Sequence, residues 1–277
     1  KGTYVAYSQG NSFANFKKVT SLFSDGWDKD HHSRYATDLN GDGRADLIGF
    51  GEKGVYVSLS SASGFIDKGR VNTSFGQNDY QYRDNQPRTL SDINGDGLLD
   101  IVGFSKVGVQ VAYGRGNGTF KVLSSQSNFG YNQGWRRDKH IRTLADVNGD
   151  GLNDLVGFKD DGVYISLARP LSYSEYNLVI DSLEVDMTYK IMDPVFSDPK
   201  KVSYAFGHKK SAGEWRVDKN PRILMDVDGN GSADILGFGR NGIEVATNSF
   251  DGKPTRIGSV SDGFGVETHI DYRRLSD

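Results

Sequence analysis

The chain contains no cysteine, which rules out disulfides and thiolate metal sites at once. It has no run of 18 apolar residues, so no helix is expected to span a membrane. Charge of one sign never accumulates. The formal net charge is only -3, and no basic stripe is present that would hold nucleic acid. Also missing are G-x-S-x-G, a P-loop and a strand-to-helix G-x-G-x-x-G. The first residue is Lys1 rather than Met, and no signal peptide follows. The chain is therefore expected to be a processed or trimmed part of a longer protein.

Proline is scarce as well, at 6 residues, whereas glycine reaches 35, tyrosine 14 and phenylalanine 15. Many turns and many aromatics predict short strands joined by tight loops. With 36% hydrophobic and 25% charged residues, the composition is that of a globular chain and not a disordered one. A chain of 277 residues buries roughly three quarters of the surface it exposes when unfolded.

One segment recurs four times: DLNGDGRADLIGF from Asp38, DINGDGLLDIVGF from Asp92, DVNGDGLNDLVGF from Asp146 and DVDGNGSADILGF from Asp226. The starts are separated by 54, 54 and 80 residues. A fixed period of this length is the signature of a repeat architecture. The longer third interval implies an insertion, at about residues 170 to 200, rich in Tyr and apolar residues. It is expected to be a hairpin or long loop on the rim, with partner docking as the alternative.

After each acidic loop an apolar run such as DLVGF leads through a Gly-bounded turn to an alternating segment: GVYVSLS, GVQVAYG, GVYISLA or GIEVATN. Period-two alternation with β-branched residues predicts strands. A further strand-like piece, such as IRTLADV, precedes each loop. The predicted fold is all-β: a β-propeller of four-stranded antiparallel blades, each with a calcium loop. About five blades are seen. The first is partial, because GTYVAYS from Gly2 matches the second half of the unit without its first half.

The loops supply hard oxygen ligands. Positions 1, 3, 5 and 9 are Asp38, Asn40, Asp42 and Asp46; Asp92, Asn94, Asp96 and Asp100; Asp146, Asn148, Asp150 and Asp154; and Asp226, Asp228, Asn230 and Asp234. Position 7, which is Arg44, Leu98, Leu152 or Ser232, can offer its backbone carbonyl. Calcium takes six to eight such oxygens in flexible geometry, and magnesium is more demanding. Three carboxylates in one small loop repel one another unless a cation intervenes. An EF-hand also begins D-x-N-x-D-G, but it needs Glu at position 12 and flanking helices. Here position 12 is Gly49, Gly103, Gly157 or Gly237. About four Ca2+ ions are expected, one per loop. Near-identical copies suit a structural ion, whereas a catalytic metal keeps one open site beside a base.

The loop pattern D-x-N-G-D-G-x-x-D-[LI]-[IVL]-G-F resembles the calcium loops of FG-GAP and VCBS repeats in integrin-type β-propellers. The tail from Ile257, IGSVSDGFGVETHIDYRRLSD, is similar to the segment after such repeats in SpvB-like proteins and in the B components of insecticidal toxin complexes. The resemblance implies a secreted or cell-surface scaffold without activity of its own. It would bind a protein partner or other parts of a larger parent chain. The domain division that follows is a propeller over residues 1–256 and a tail over 257–277.

A second motif precedes each loop. Trp27, Trp135 and Trp215 align, with Gln81 in the remaining copy. Three residues on stand Asp30, Asp84, Asp138 and Asp218, and four further Arg34, Arg88, Arg142 and Arg222. The expected role is an Asp–Arg pair with an aromatic wedge between blades. The alternative is a ring of glycan sites, in which the Trp faces stack on sugar. His32 and His140 occupy one motif position, which again points to structure. No catalytic or cofactor-binding residue is assigned. The remaining readings are a lectin and, as the residual enzyme, a calcium-dependent polysaccharide lyase.

Overall fold

The computed structural model describes residues 1–28, 31–76, 87–126, 128–172, 175, 179, 195–248, 259–261 and 267–269. Asp30, Gln81, Asp84, most of the insertion and most of the tail lie outside these residues.

Each acidic loop joins the first two strands of an antiparallel sheet. In unit 1 the strands are β3 (Arg34–Thr37), β4 (Asp46–Gly51), β5 (Gly54–Ser61) and β6 (Gly64–Asn72). Unit 2 consists of β7 (Arg88–Ser91), β8 (Asp100–Phe104), β9 (Val109–Gly114) and β10 (Phe120–Gln126). Unit 3 has β11 (Ile141–Ala145), β12 (Asp154–Lys159), β13 (Gly162–Ser166) and β14 (Lys200–Ser203). Unit 4 shows three strands, β15 (Arg222–Met225), β16 (Asp234–Gly239) and β17 (Gly242–Ala246). Ahead of them β1 (Thr3–Val5) pairs with β2 (Lys17–Thr20) as a separate two-stranded sheet. The short hairpin of β18 (Ser259–Ser261) and β19 (Glu267–His269) follows. Helical structure among the described residues comprises two short 3-10 turns, Tyr131–Gln133 and Lys210–Ala212, and the helical residues Glu175 and Val179.

Alternation along the strands gives the sheets of units 1 to 4 apolar residues on both faces, and the units pack front to back. Ile48, Phe50, Val55 and Val57 of unit 1 share a core with Ile101 and Ala112 of unit 2. Val102, Phe104, Val109 and Val111 of unit 2 meet Leu155 of unit 3. Val156, Phe158 and Val163 of unit 3 meet Leu224, Ile235 and Ala246 of unit 4. Each fully buried Val, Leu, Ile or Phe among them contributes about 1.5–3 kcal/mol. The ends of the insertion join the second of these cores. Val179, Val195 and Phe196 are buried in it, and Gln126 brackets the Phe196 backbone, its Oε1 accepting the Phe196 N–H at 3.2 Å.

The repeated arginine crosses between units. Arg88, Arg142 and Arg222 lie over Phe50, Phe104 and Phe158 of the preceding unit, 5.2 to 5.3 Å from the ring centroids. Each also donates from Nη1 to the carbonyl of Phe75, Phe129 or Phe206, at 2.7, 2.9 and 3.1 Å. Those three Phe residues hold φ of 61°, 54° and 59°, a region that bulky residues rarely enter. The charged hydrogen bond offsets the strain. Among the described residues no ion pair joins Asp138 to Arg142 or Asp218 to Arg222. The sequence pattern identified the recurring arginine, and in three of its four copies the contacts include a phenyl face and a carbonyl.

Candidate metal centre

The four acidic loops share one hydrogen-bond scheme. At position 1, Asp38 Oδ1 accepts the Gly41 N–H at 2.8 Å and Oδ2 accepts the Gly43 N–H at 2.7 Å. Asp92 repeats this with Gly95 and Gly97, Asp146 with Gly149 and Gly151, and Asp226 with Gly229 and Gly231. The glycines at positions 4 and 6 have positive φ throughout, for example 70° at Gly149 and 87° at Gly151. That curl turns consecutive N–H groups onto one carboxylate.

Positions 3 and 5 face each other. Nδ2 of Asn40, Asn94 and Asn148 donates to Asp42, Asp96 and Asp150 at 2.9 to 3.0 Å, and Asn230 donates to Asp228 at 3.3 Å. The position 7 N–H of Arg44, Leu98, Leu152 or Ser232 closes on the position 5 side chain of Asp42, Asp96, Asp150 or Asn230. The Arg44 guanidinium also pairs with the Asp42 carboxylate.

Position 9 is buried. Asp46, Asp100 and Asp154 are fully enclosed. One oxygen accepts the position 2 N–H, from Leu39, Ile93, Val147 or Val227. The other accepts an N–H fourteen residues on, from Ser60, Gly114, Ala168 or Asn248. The carboxylate thus ties the loop to the third strand. Sequence reading assigned position 9 only as a ligand. The constant offset of fourteen was the available signal for its second role.

Electrostatics separate the two aspartates. Burial pushes Asp100 up to about 8 and Asp154 up to about 6, against the pull of their two N–H donors. Asp38 is held below the usual carboxylate range. Burial raises it, but the donors led by Gly43 outweigh that. Asp226 is held low by donors led by the Gly231 N–H. Uncompensated negative charge in a dry setting is what a divalent cation relieves. Three carboxylates, Asp226, Asp228 and Asp234, place oxygens within 4.8 Å of one another in the fourth loop. Among the described residues no other such group occurs, so in loops 1 to 3 the acids at positions 1, 5 and 9 are less converged. The oxygen-only donor set fits a hard cation such as calcium.

The loops also stand side by side. Asn153 Nδ2 donates to the Asp92 carbonyl at 2.9 Å, and the Ala233 N–H to the Asp146 carbonyl at 2.8 Å. Position 8 of units 3 and 4 therefore grips position 1 of the unit before. The Leu98 side chain reaches toward Gly41, and Leu152 toward Gly95.

The tryptophans lie elsewhere, against position 12. Trp135 and Trp215 are only 3% and 4% exposed. Trp135 stacks on Phe129 at 4.8 Å between ring centroids, and Gly157 lies beneath it. The faces of Trp135 and Trp215 are therefore occupied, and the sugar-stacking role considered for these two does not hold, whereas Trp27 is half-buried.

Beside Trp135, His140 forms a further recurring contact. Its Nδ1 accepts the Arg136 N–H at 3.0 Å. The ring proton therefore sits on Nε2 and is donated to Asp160 Oδ1 at 3.1 Å. His32 accepts the Asp28 N–H in the same way at 3.1 Å, and in unit 4 Asn220 Oδ1 replaces the ring, accepting the Arg216 N–H at 3.1 Å. Burial lowers the His140 pKa, while Asp160 raises it less. Protonation thus favours the unfolded chain. This contribution to stability is complete above the ordinary value of 6.5 and is lost as pH falls through the lowered folded value. His140→Asn is expected to keep the N–H acceptor, as Asn220 does, and to remove part of the acid-side decline in melting temperature. Melting curves of both proteins from pH 8 to pH 5 check this, and parallel declines would refute it.

Comparison with known proteins places these loops in a wider group. The FG-GAP-like repeat family matches residues 92–157. An Agrocybe aegerita lectin that recognises non-reducing terminal N-acetylglucosamine is 30% identical in sequence. That match covers 91% of this chain and 72% of the lectin, with a TM-score of 0.54. A chain of the Photorhabdus luminescens Tc holotoxin pore matches over 88% of this chain at 19% identity and a TM-score of 0.53. The match spans only 10% of that toxin chain's length, and at this identity it is a likeness of fold. No match to a curated protein sequence was found. Among the described residues, no helix is long and apolar enough to cross a membrane.

Proposed function

Because the chain belongs to the FG-GAP-like repeat family, we propose that its units are blades of a calcium-stabilised β-propeller that works as a non-enzymatic binding and assembly scaffold in a secreted or surface protein. Its partner would be a protein or another part of a larger parent polypeptide, in the manner of a toxin-complex or adhesin component. One observation carries this reading. All four units repeat the acidic loop, and the Gly–Trp platform and the Arg–Phe contact recur from unit to unit. Repeating one loop design in all four units serves shape, whereas catalysis needs one unit to depart from the rest. The loops would hold the ions through Asp, Asn and backbone oxygens, and the ions would supply positive charge between the carboxylates.

A second reading, a glycan-binding propeller, is favoured by the 30% identity to the N-acetylglucosamine-binding lectin. Since Trp135 and Trp215 are covered, sugar would have to meet exposed side chains such as Tyr204, which is 79% accessible. A glycan array in millimolar calcium, run beside a lyase assay on uronic-acid polymers, separates the readings. The scaffold predicts neither binding nor turnover. Reproducible capture of N-acetylglucosamine-terminated glycans would replace it with the lectin, and turnover would replace it with an enzyme.

A further inference from the structure

Six asparagines are followed directly by glycine: Asn40, Asn94, Asn117, Asn148, Asn230 and Asn241. Such a pair is chemically labile, because the glycine nitrogen has no side chain beside it to hinder attack on the asparagine Cγ. Attack needs a free glycine N–H, a polarised side-chain carbonyl and an amide group free to depart. The structure distributes these three requirements unequally. In the acidic loops the attacking nitrogen is held. The N–H groups of Gly41, Gly95 and Gly149 donate to the position 1 carboxylate at 2.8, 2.8 and 2.7 Å, and that of Gly231 to Asp226 at 2.9 Å. The departing amide is held too. Nδ2 of Asn40, Asn94 and Asn148 donates to the position 5 carboxylate, and Asn230 Nδ2 donates to the Asn248 carbonyl at 2.8 Å. After Asn241, Gly242 is paired with Gly239 across the turn between β16 and β17.

Asn117 is arranged in the opposite way. It is exposed, in the turn from β9 to β10 that the Arg115 N–H closes on the Thr119 carbonyl at 3.1 Å. Its Oδ1 accepts both the Thr119 N–H at 2.9 Å and the Thr119 hydroxyl at 2.6 Å. Two donors on one carbonyl oxygen stabilise the negative charge that develops there during attack. Among the described residues neither the Gly118 N–H nor Asn117 Nδ2 has a hydrogen-bond partner. We propose that Asn117 is a site of spontaneous covalent modification, at which Thr119 activates the side chain toward the Gly118 nitrogen. The Gly118 nitrogen bonds to Asn117 Cγ, and the bond from Cγ to Nδ2 breaks. The Gly118 proton leaves with Nδ2 as ammonia, and a five-membered cyclic imide remains. Water, the sole co-reactant, then opens either imide carbonyl and gives aspartate or its β-linked isomer. The result is a new carboxylate in a turn that lies against loop 2, since a Cβ at Gly116 would stand 3.5 Å from Leu98 Cδ1. This chemistry is independent of what the scaffold binds.

The whole chain is incubated at mildly alkaline pH in millimolar calcium, and peptide mapping by mass spectrometry follows conversion of amide to acid at each of the six asparagines. An N–H bonded to a carboxylate must be released before it can attack, which slows the step roughly ten- to a hundredfold. Asn117 is therefore expected to convert at least about tenfold faster than Asn40, Asn94, Asn148 and Asn230. Thr119→Val keeps the backbone N–H and removes the hydroxyl. It is expected to slow Asn117 roughly three- to tenfold while the loop asparagines keep their rates. Thr119→Ser retains the hydroxyl and should restore the parent rate. In protein unfolded by urea the rates are expected to draw together, which assigns the difference to the fold. Loop asparagines that convert as fast as Asn117 in the native protein would overturn the proposal. So would an unchanged Asn117 rate in the Thr119→Val protein, or a ratio that unfolding leaves as it was.

Discussion

Removing calcium is expected to lower the melting temperature of this protein by more than any single substitution away from the loops. The argument starts from charge. Twelve of the 36 acidic residues sit in the four loops, and loops 2, 3 and 4 are hydrogen-bonded in series. A ligand that binds only the folded state adds RT ln(1 + [L]/Kd), about 2.7 kcal/mol per site at a hundredfold excess over Kd. Several sites together rival the roughly 5–15 kcal/mol of a whole domain. Calorimetry in millimolar calcium and again in EGTA measures the difference. Calcium restored after EGTA should recover the upper transition, and magnesium should recover less. An unchanged midpoint in EGTA would refute a stabilising metal.

Gly157→Ala is the substitution with the largest expected effect on stability in the absence of any ligand change. A Cβ at Gly157 would lie 2.2 Å from Trp135 Cη2 and 2.6 Å from Phe129 Cε1. Neither ring has room to retreat, because Trp135 is buried and stacked on Phe129. Overpacking of this kind typically costs 1–3 kcal/mol. With two rings held by one another, we expect about 3 kcal/mol, a fall of roughly 6–12 °C in melting temperature for a chain of this size. Trp135→Leu in the same background should recover part of the loss, so the two changes should be non-additive. Equal stability of Gly157→Ala and the parent would mean that the aromatic platform is loosely packed. Gly49 beneath Trp27 and Gly237 beneath Trp215 repeat the geometry, with nearest approaches of 2.7 and 2.5 Å.

These cases mark how far the sequence could be read. Strand positions were legible because alternation in segments such as GVYIS has a period that only a pleated strand satisfies. The loops were legible because their oxygens recur at fixed offsets. Position 12 was visible as a glycine that excludes an EF-hand, but its purpose was not. A glycine required by an aromatic ring above it looks the same in sequence as a glycine required by a turn. The arginine posed a similar difficulty. Its period was evident, yet periodicity does not reveal whether a side chain turns toward its own unit or crosses to the one before. An aspartate four residues away offered a plausible local partner, and the carbonyl of a left-handed Phe offered no signal. Phe196 is placed against Gln126 by tertiary packing across 70 residues of chain, and no local pattern announces such a contact.

The grip of position 8 on the preceding unit's position 1 constrains how such a protein can grow. A gain or loss of one complete unit leaves every loop with a neighbour of the same shape, so the row closes up intact. A gain of a few residues inside a loop would break the bond on both sides. Extra chain is therefore tolerated only where it leaves these bonds in place. Evolutionary change in length is channelled into whole duplications and into insertions outside the loops, and the acidic edge keeps its register through both.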